Sequence, residues 1–408
     1  MTESTLASAT RPSNIDRVPV FYSAAFLYAI AVMPGAVAPG FAGAAAGAAH
    51  LGDSQLGLLF ALYFAGFGVV GASAYLWIRA SNWRHVSLAG ILLMAGSFVA
   101  IGLSTSFPIL LGLMFLNGIG AGLFGAPSIT VLGDMTRPER GFSAMIVFSV
   151  AGAALLLALF PLVDAAAGFA GVNYLMAGAT LICLLLIPWM PRNNDVSLRP
   201  VAGGTGGLQT GAILRGFDSQ PLCALLVMVL FTLGFSGMWT FFERVAHYAE
   251  LSPVATGRAL AIGTLVGTIG GPLTAWLRRQ IPMHFCYALI VAGIVVTLAV
   301  LGTLLLTDTN YLVLVCSFQF WINGGFCIIM ALIAEVDKVG RYVAMIPASQ
   351  ALGSFIGPSV TGFALEMSGT ATMIAITVGA FVIGACVFAY VDRRDLATAR
   401  QATAPANS

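Results

Sequence analysis

The chain reads as twelve long apolar runs separated by short polar interruptions. The runs fall near residues 18–43, 54–78, 86–105, 108–133, 142–163, 170–190, 220–246, 255–277, 285–306, 311–334, 343–366 and 371–391. A helix needs about 20 apolar residues to cross the hydrocarbon core of a bilayer, so each run is predicted to be a spanning helix. Pro34, Gly35 and Pro39 in the first run, and Gly270, Gly271 and Pro272 in the eighth, are predicted to break their helices. Membrane helices tolerate such breaks because neighbours satisfy the freed backbone groups. The ten-residue alternation of a membrane barrel strand is not seen in the sequence.

Composition agrees. Of 408 residues, 59% are hydrophobic and 8% charged, where soluble domains carry about one quarter charged residues. So few charges cannot clothe a water-facing surface. The polar segment 1–17 has no signal-peptide pattern. The six cysteines (Cys183, Cys223, Cys286, Cys316, Cys327, Cys386) lie in apolar runs without a CxxC pair, which points away from zinc or a disulfide framework.

Charge placement orients the chain. With twelve spans and both termini on one side, that side holds all but two of the 18 basic residues, the exceptions being Arg244 and Arg258. The basic side faces the cytoplasm, so both termini are expected there, in a plasma (bacterial inner) membrane. The longest polar gap, 191–219, contains Gly203, Gly204, Gly206 and Gly207 and reads as a cytoplasmic linker. It divides the chain into a cytoplasmic tail at 1–17, bundles at 18–190 and 220–391, and a cytoplasmic tail at 392–408 expected to lack structure.

The bundles are related. Ala-Met-Ile-x-x-Ser-x-Ala occurs at Ala144–Ala151 and at Ala344–Ala351. Leu51, Gly57, Ala61, Gly71 and Arg79 recur at the same 200-residue offset as Leu251, Gly257, Ala261, Gly271 and Arg279. Such duplication is typical of transporters. Within it, Val150 corresponds to Gln350, which with Ser349 and Ser354 makes the eleventh span the more polar copy.

Local segments resemble the major facilitator superfamily: Leu51-Gly-Asp-Ser-Gln-Leu-Gly-Leu-Leu before the second span, Phe115-Leu-Asn-Gly-Ile-Gly-Ala-Gly in the fourth, and Asp134-Met-Thr-Arg-Pro-Glu-Arg-Gly after it. The resemblance implies an all-α membrane fold of twelve helices in two pseudo-symmetric six-helix bundles. It also implies gating loops at Arg79, Arg84, Asp134, Arg140, Arg278 and Arg279. Three departures stand out. Ile78 occupies the acidic position of the loop after the second helix, Met114 the basic position of the fourth-helix motif, and Gly152-Ala-Ala-Leu-Leu lacks the antiporter proline. Gly353-x-x-x-Gly357-Pro358 in the eleventh span is similar to that missing motif.

Charges inside the spans are rare, and Glu243 with Arg244 is the main exception. Neighbours in a helix do not face each other, so these two are not expected to pair. Trp239, Glu243 and His247 recur every fourth residue and share a face if the helix is continuous. Glu243 and His247 are the candidate proton-coupling groups. Tyr28, Tyr63, Asn117, Trp239, Gln319, Trp321, Asn323 and Gln350 are the candidate substrate-binding residues, an aromatic and neutral polar set with the bland alternative of core packing and interhelical bonding.

No nucleotide-binding loop, HExxH or paired-carboxylate motif accompanies them, so an enzyme, a primary pump, a cofactor or a metal is not expected. The expectation is a monomeric secondary transporter of a small, partly apolar organic solute. It would work by alternating access coupled to protons, with the bilayer as its other partner and no nucleic acid. An efflux antiporter or uniporter of the same fold, or a non-transporting membrane sensor, are the alternatives.

Overall fold

The computed structural model describes residues 16–192, 219–337 and 342–403. The linker predicted at 191–219 and the tail predicted at 1–17 therefore lie largely outside the described residues, as do residues 404–408 and Arg11, Arg199, Arg215, Lys338 and Arg341.

The described residues form twelve helical rods. The first, α1, runs over residues 18–49 in three pieces, Val18–Ala31, Met33–Ala36 and Ala38–Ala49. Its breaks flank Pro34 and Pro39, as expected of residues that cannot donate to the helix ladder. Then come α2 (Asp53–Trp77), α3 (Trp83–Gly102) and α4 (Phe107–Asp134). One continuous helical stretch, Pro138–Ile182, is two rods. Gly168, with φ 62° and ψ −168°, breaks it into α5 and α6. The second half repeats the plan. α7 comprises Ser219–Thr240 and Phe242–Tyr248, and α8 comprises Pro253–Gly267 and Gly270–Leu277. α9 is Met283–Thr303 and α10 is Asp308–Val336. The stretch Ile346–Thr403 breaks at Gly369 (φ 79°) into α11 and α12. Helix therefore continues to Thr403, through a tail expected to lack structure.

The sequence repeat reappears as backbone geometry. His50 and Glu250, 200 positions apart, are the two non-glycine residues with positive φ among those described, at 49° and 59°. Each turns the chain from one rod into the next. The ties within each half are duplicated too. Arg79 meets Asp134 between α2 and α4, and Arg278 meets Glu335 between α8 and α10. Arg84 Nε donates to the Met190 carbonyl at 2.5 Å, joining α3 to the end of α6. His284 Nδ1 lies 2.6 Å from Asp392 and joins α9 to α12.

The outer surface is apolar. Val147, Leu155 and Phe363 are each about 60% exposed or more, which suits contact with lipid tails rather than water.

The halves meet through glycine. A Cβ on Gly57 of α2 would overlap the Pro358 carbonyl of α11, and one on Gly257 of α8 would press on Pro161 and the Leu157 carbonyl of α5. Repeat partners thus make the equivalent contact on opposite sides of the molecule. Without a hydrophobic drive between helices in lipid, such close backbone approach supplies much of the attraction. Gly57→Val should therefore lower the detergent melting temperature, with an overpacking cost of about 1–3 kcal/mol. Gly71→Ala, at a repeat position facing open space, should leave it unchanged. Equal melting temperatures for both variants would refute the contact.

Candidate functional site

The rods have one end that carries the termini and an opposite, far end. At the far end the halves are bolted together by polar side chains. The left-handed turn at His50 starts α2, leaving Asp53 in its first turn. Asp53 is 4% exposed and accepts from Arg244 Nε of α7 at 2.9 Å. Tyr248, one turn on, donates to the other Asp53 oxygen at 2.5 Å and accepts from Arg244 at 2.9 Å. Burial, followed by donation to Asp53, raises the Tyr248 pKa, so the hydroxyl keeps its proton. Nearby, Glu366 of α11 accepts from the Ser54 backbone amide at 2.7 Å and the Ser54 hydroxyl at 2.5 Å. A carboxylate at the start of α2 also suits the helix dipole.

Glu243 sits beneath this bolt. It lies over Gly43 of α1, where any Cβ would overlap its carboxylate. Its Oε2 is buried with no hydrogen-bond partner. Arg244, Asp164 and Asp53 are within electrostatic reach, but the guanidinium is engaged by Asp53. Trp239 is buried and donates its indole N–H at 3.0 Å to the Ala36 carbonyl, at the broken part of α1. Behind it the rings of Phe235, Phe242 and Phe318 pack at centroid distances of 4.9–6.5 Å.

The predicted stripe of Trp239, Glu243 and His247 is interrupted. α7 breaks at Phe241, with φ −104° and ψ 8°, so the helix is not continuous there. Trp239 and Glu243 still face the other half, whereas His247 is exposed. Tyr63 is buried and donates to the Ala31 carbonyl at 2.8 Å, with the half-buried Tyr28 within electrostatic reach. Asn117 is fully buried. Its amide donates to the Met94 carbonyl of α3 at 3.2 Å, and its Oδ1 has no partner. Trp321 packs against Gly293 of α9, and Asn323 donates to the Gln319 carbonyl one turn back. Gln319 is buried and Gln350 half-buried.

Of the predicted gating residues, Arg79 and Asp134 form a two-pronged bond of 2.6 and 3.0 Å at the termini end. That hydrogen bond raises the arginine pKa against a smaller lowering from burial. Arg278 meets Glu335, Arg84 holds Met190, and Arg140 and Arg279 are exposed.

Sequence reasoning missed Asp53, Tyr248, Ser54 and Glu366. Their signal was present in part: an acid opening the second span, and the isolated Glu366 ending an otherwise apolar one. No group of three or more His, Cys, Asp or Glu able to hold a metal occurs among the described residues.

Twelve apolar rods in two related halves, joined across a central seam, define a multi-pass membrane protein of the transporter type. The family model of the Major Facilitator Superfamily matches residues 20–336, and the chain belongs to that superfamily. Its fold is shared with solved transporters of low sequence identity. The D-xylose–proton symporter is 14% identical with a TM-score of 0.72, over 91% of this chain and 96% of that one. The nucleoside transporter NupG is 13% identical at 0.67, over 91% and 97%. A bacterial homologue of the human lysosomal transporter Spinster, inward-facing and unoccupied, is 14% identical at 0.66, over 93% and 96%. Among curated proteins none matches by sequence.

The Asp53–Arg244 pair should behave as a buried ion pair. A double-mutant cycle with Asp53→Asn and Arg244→Gln, read by thermal unfolding in detergent, should give a coupling of at least ~1.5 kcal/mol. The few tenths typical of exposed pairs would mean the far end is not bolted by it.

Proposed function

We propose that the protein is a secondary transporter of a small, partly apolar organic solute, working by alternating access and driven by a proton gradient through Glu243. The observation that carries this reading is the buried, unpartnered Glu243 Oε2 at the seam between the halves. An ionised carboxylate there is costly, about 2.5–3.5 kcal/mol at the midplane of a bilayer and less toward its surface. A protonated one is not. When the far end parts, water reaches the group and removes the penalty. Proton binding and far-end closure are then the same equilibrium seen from two sides.

The solute would bind between the halves. Tyr28, Trp239, Gln319 and Gln350 are the residues we assign to it first. Tyr63, Asn117, Trp321 and Asn323 already have packing or hydrogen-bonding roles within their own half. Aromatic faces with neutral amides suit an uncharged solute with a few polar groups. Two structural neighbours, a nucleoside transporter and a D-xylose–proton symporter, act on solutes of that kind. The basic side is taken as cytoplasmic, with both termini there and the protein in the bacterial inner membrane as a monomer. Residues 18–190 and 220–391 would move as bodies about the linker.

Reconstituted protein should accumulate its solute when a pH gradient is imposed. Glu243→Gln should abolish that accumulation and keep solute counterflow at zero gradient. Glu243→Gln that still accumulates in response to pH would dismiss Glu243 as the coupling group. Ligand-induced stabilisation without movement of solute under any gradient would make the protein a sensor.

Gly43→Ala offers an independent check, because its new methyl group must displace the Glu243 side chain. It should shift the pH dependence of transport in vesicles, whereas Gly47→Ala, facing open space, should not. Identical profiles for the two would separate Glu243 from its position over α1.

A further inference from the structure

We propose that the termini end of α8 and α10 holds a binding site for the headgroup of an anionic phospholipid. A cavity of about 280 Å³ opens there, lined by Thr274, Ala275, Arg278 and Arg279 from α8 and by Cys327, Ile328 and Ala331 from α10. Its two faces differ in chemistry. The rim carries two guanidinium groups, and the floor is apolar apart from one hydroxyl and one thiol. A phosphodiester on an acyl chain has the matching order, charge first and hydrocarbon behind. Basic pockets between membrane helices on the cytoplasmic side are suited to such headgroups. Arginine provides planar, forked donors to phosphate oxygens.

The two arginines are not equivalent. Arg278 already meets Glu335 on α10. Arg279 is exposed and is the cation with most freedom to face a ligand. At the 200-residue offset Arg279 corresponds to Arg79, which is held in both prongs by Asp134, whereas in the second loop the ion pair is made by Arg278, opposite Ile78. The duplicated loops thus share one ion pair each, and the second loop adds a charge beside a cavity. The depth is also appropriate. Arg278 and Arg279 end a rod whose preceding turns are apolar, so the rim lies where headgroups lie. A lipid phosphate bound at Arg279 also stands beside the Arg278–Glu335 bond. Anionic lipid would compete with Glu335 for Arg278 and loosen α8 from α10. The site needs only the membrane orientation taken above, and is independent of Glu243.

Cys327 lines the cavity and reports on it. In full-length protein reconstituted in phosphatidylcholine vesicles, alkylation of Cys327, quantified on its own peptide, should slow at least about threefold when phosphatidylglycerol is included. Inorganic phosphate added to phosphatidylcholine vesicles should not slow it. Arg279→Gln should remove the protection and Arg279→Lys should retain part of it, with melting temperatures unchanged because the side chain is exposed. Equal alkylation in the two lipids would overturn the proposal, as would protection that survives Arg279→Gln. Protection by inorganic phosphate alone would reassign the site to a free anion. Failure of solute transport by Glu243→Gln to lose its pH drive would leave all of these outcomes in place.

Discussion

Arg244 has two carboxylates within reach and one guanidinium to give. It gives it to Asp53, across the seam, and not to its chain neighbour Glu243. The choice follows from helix geometry. Adjacent residues point about 100° apart, so Arg244 cannot fold back on Glu243 without leaving the helix, while Asp53 stands opposite at the start of α2. Two consequences follow from this one contact. The far end is closed by a charge pair with Tyr248 capping the second carboxylate oxygen. Glu243, passed over, is left with a buried Oε2 that no donor meets. The closure and the unbonded acid therefore have a single cause.

The same economy governs the seam as a whole. Lipid gives helices little reason to associate, so contact must come from close packing and a few hydrogen bonds. The chain uses glycine for the first. Gly57 meets α11, Gly257 meets α5, and Gly353 and Gly357 let α11 lie against α7 within the second half. It places the second at the far end, where Trp239, Arg244, Tyr248 and Glu366 each reach the opposite half. Glycine contacts can slide or re-form at little cost because no side chain must be repacked. Ion pairs and hydrogen bonds are directional and are either made or broken. A seam of glycine with a polar bolt at one end is therefore suited to two discrete arrangements rather than a continuum.

Much of the fold was legible because it depends on local pattern. Twelve apolar runs became twelve rods, and Pro34 and Pro39 broke α1 as their missing N–H groups require. The 200-residue offset was visible in residue identities and returned as His50 against Glu250 and as the paired arginine ties. The candidate site was less legible, for two physical reasons. Its key partners are 191 to 312 residues apart, and no periodicity within a helix reveals a contact between halves. Helical spacing also assumes continuity, and Phe241 ends it between Trp239 and Glu243. That break is not announced by glycine or proline. Trp321 and Asn323 show a further limit, since a polar or aromatic residue at mid-span reads the same whether it faces a neighbour or a cavity. Trp321 lies on Gly293, a pairing that becomes evident only when α9 and α10 are side by side.

The bolt and the acid together set how strongly a proton could bias the molecule. A coupling of 1–3 kcal/mol shifts a two-state equilibrium by roughly five- to 150-fold. Burying an unbonded carboxylate in a bilayer costs an amount of that order, about 2.5–3.5 kcal/mol at the midplane and less toward the surface. A Glu243 bonded to an arginine would instead favour the closed state when ionised, so a proton would bias the molecule the other way. One at the bilayer centre would cost more, and the closed state would scarcely exist without the proton. The position over Gly43, one turn from the far-end polar cluster, lies between these limits. It also explains why the neighbouring arginine is useful. Under the proposed coupling, Arg244 would hold the far end shut by binding Asp53 while leaving the acid beside it open to protonation, and both would be lost together if the arginine turned to Glu243.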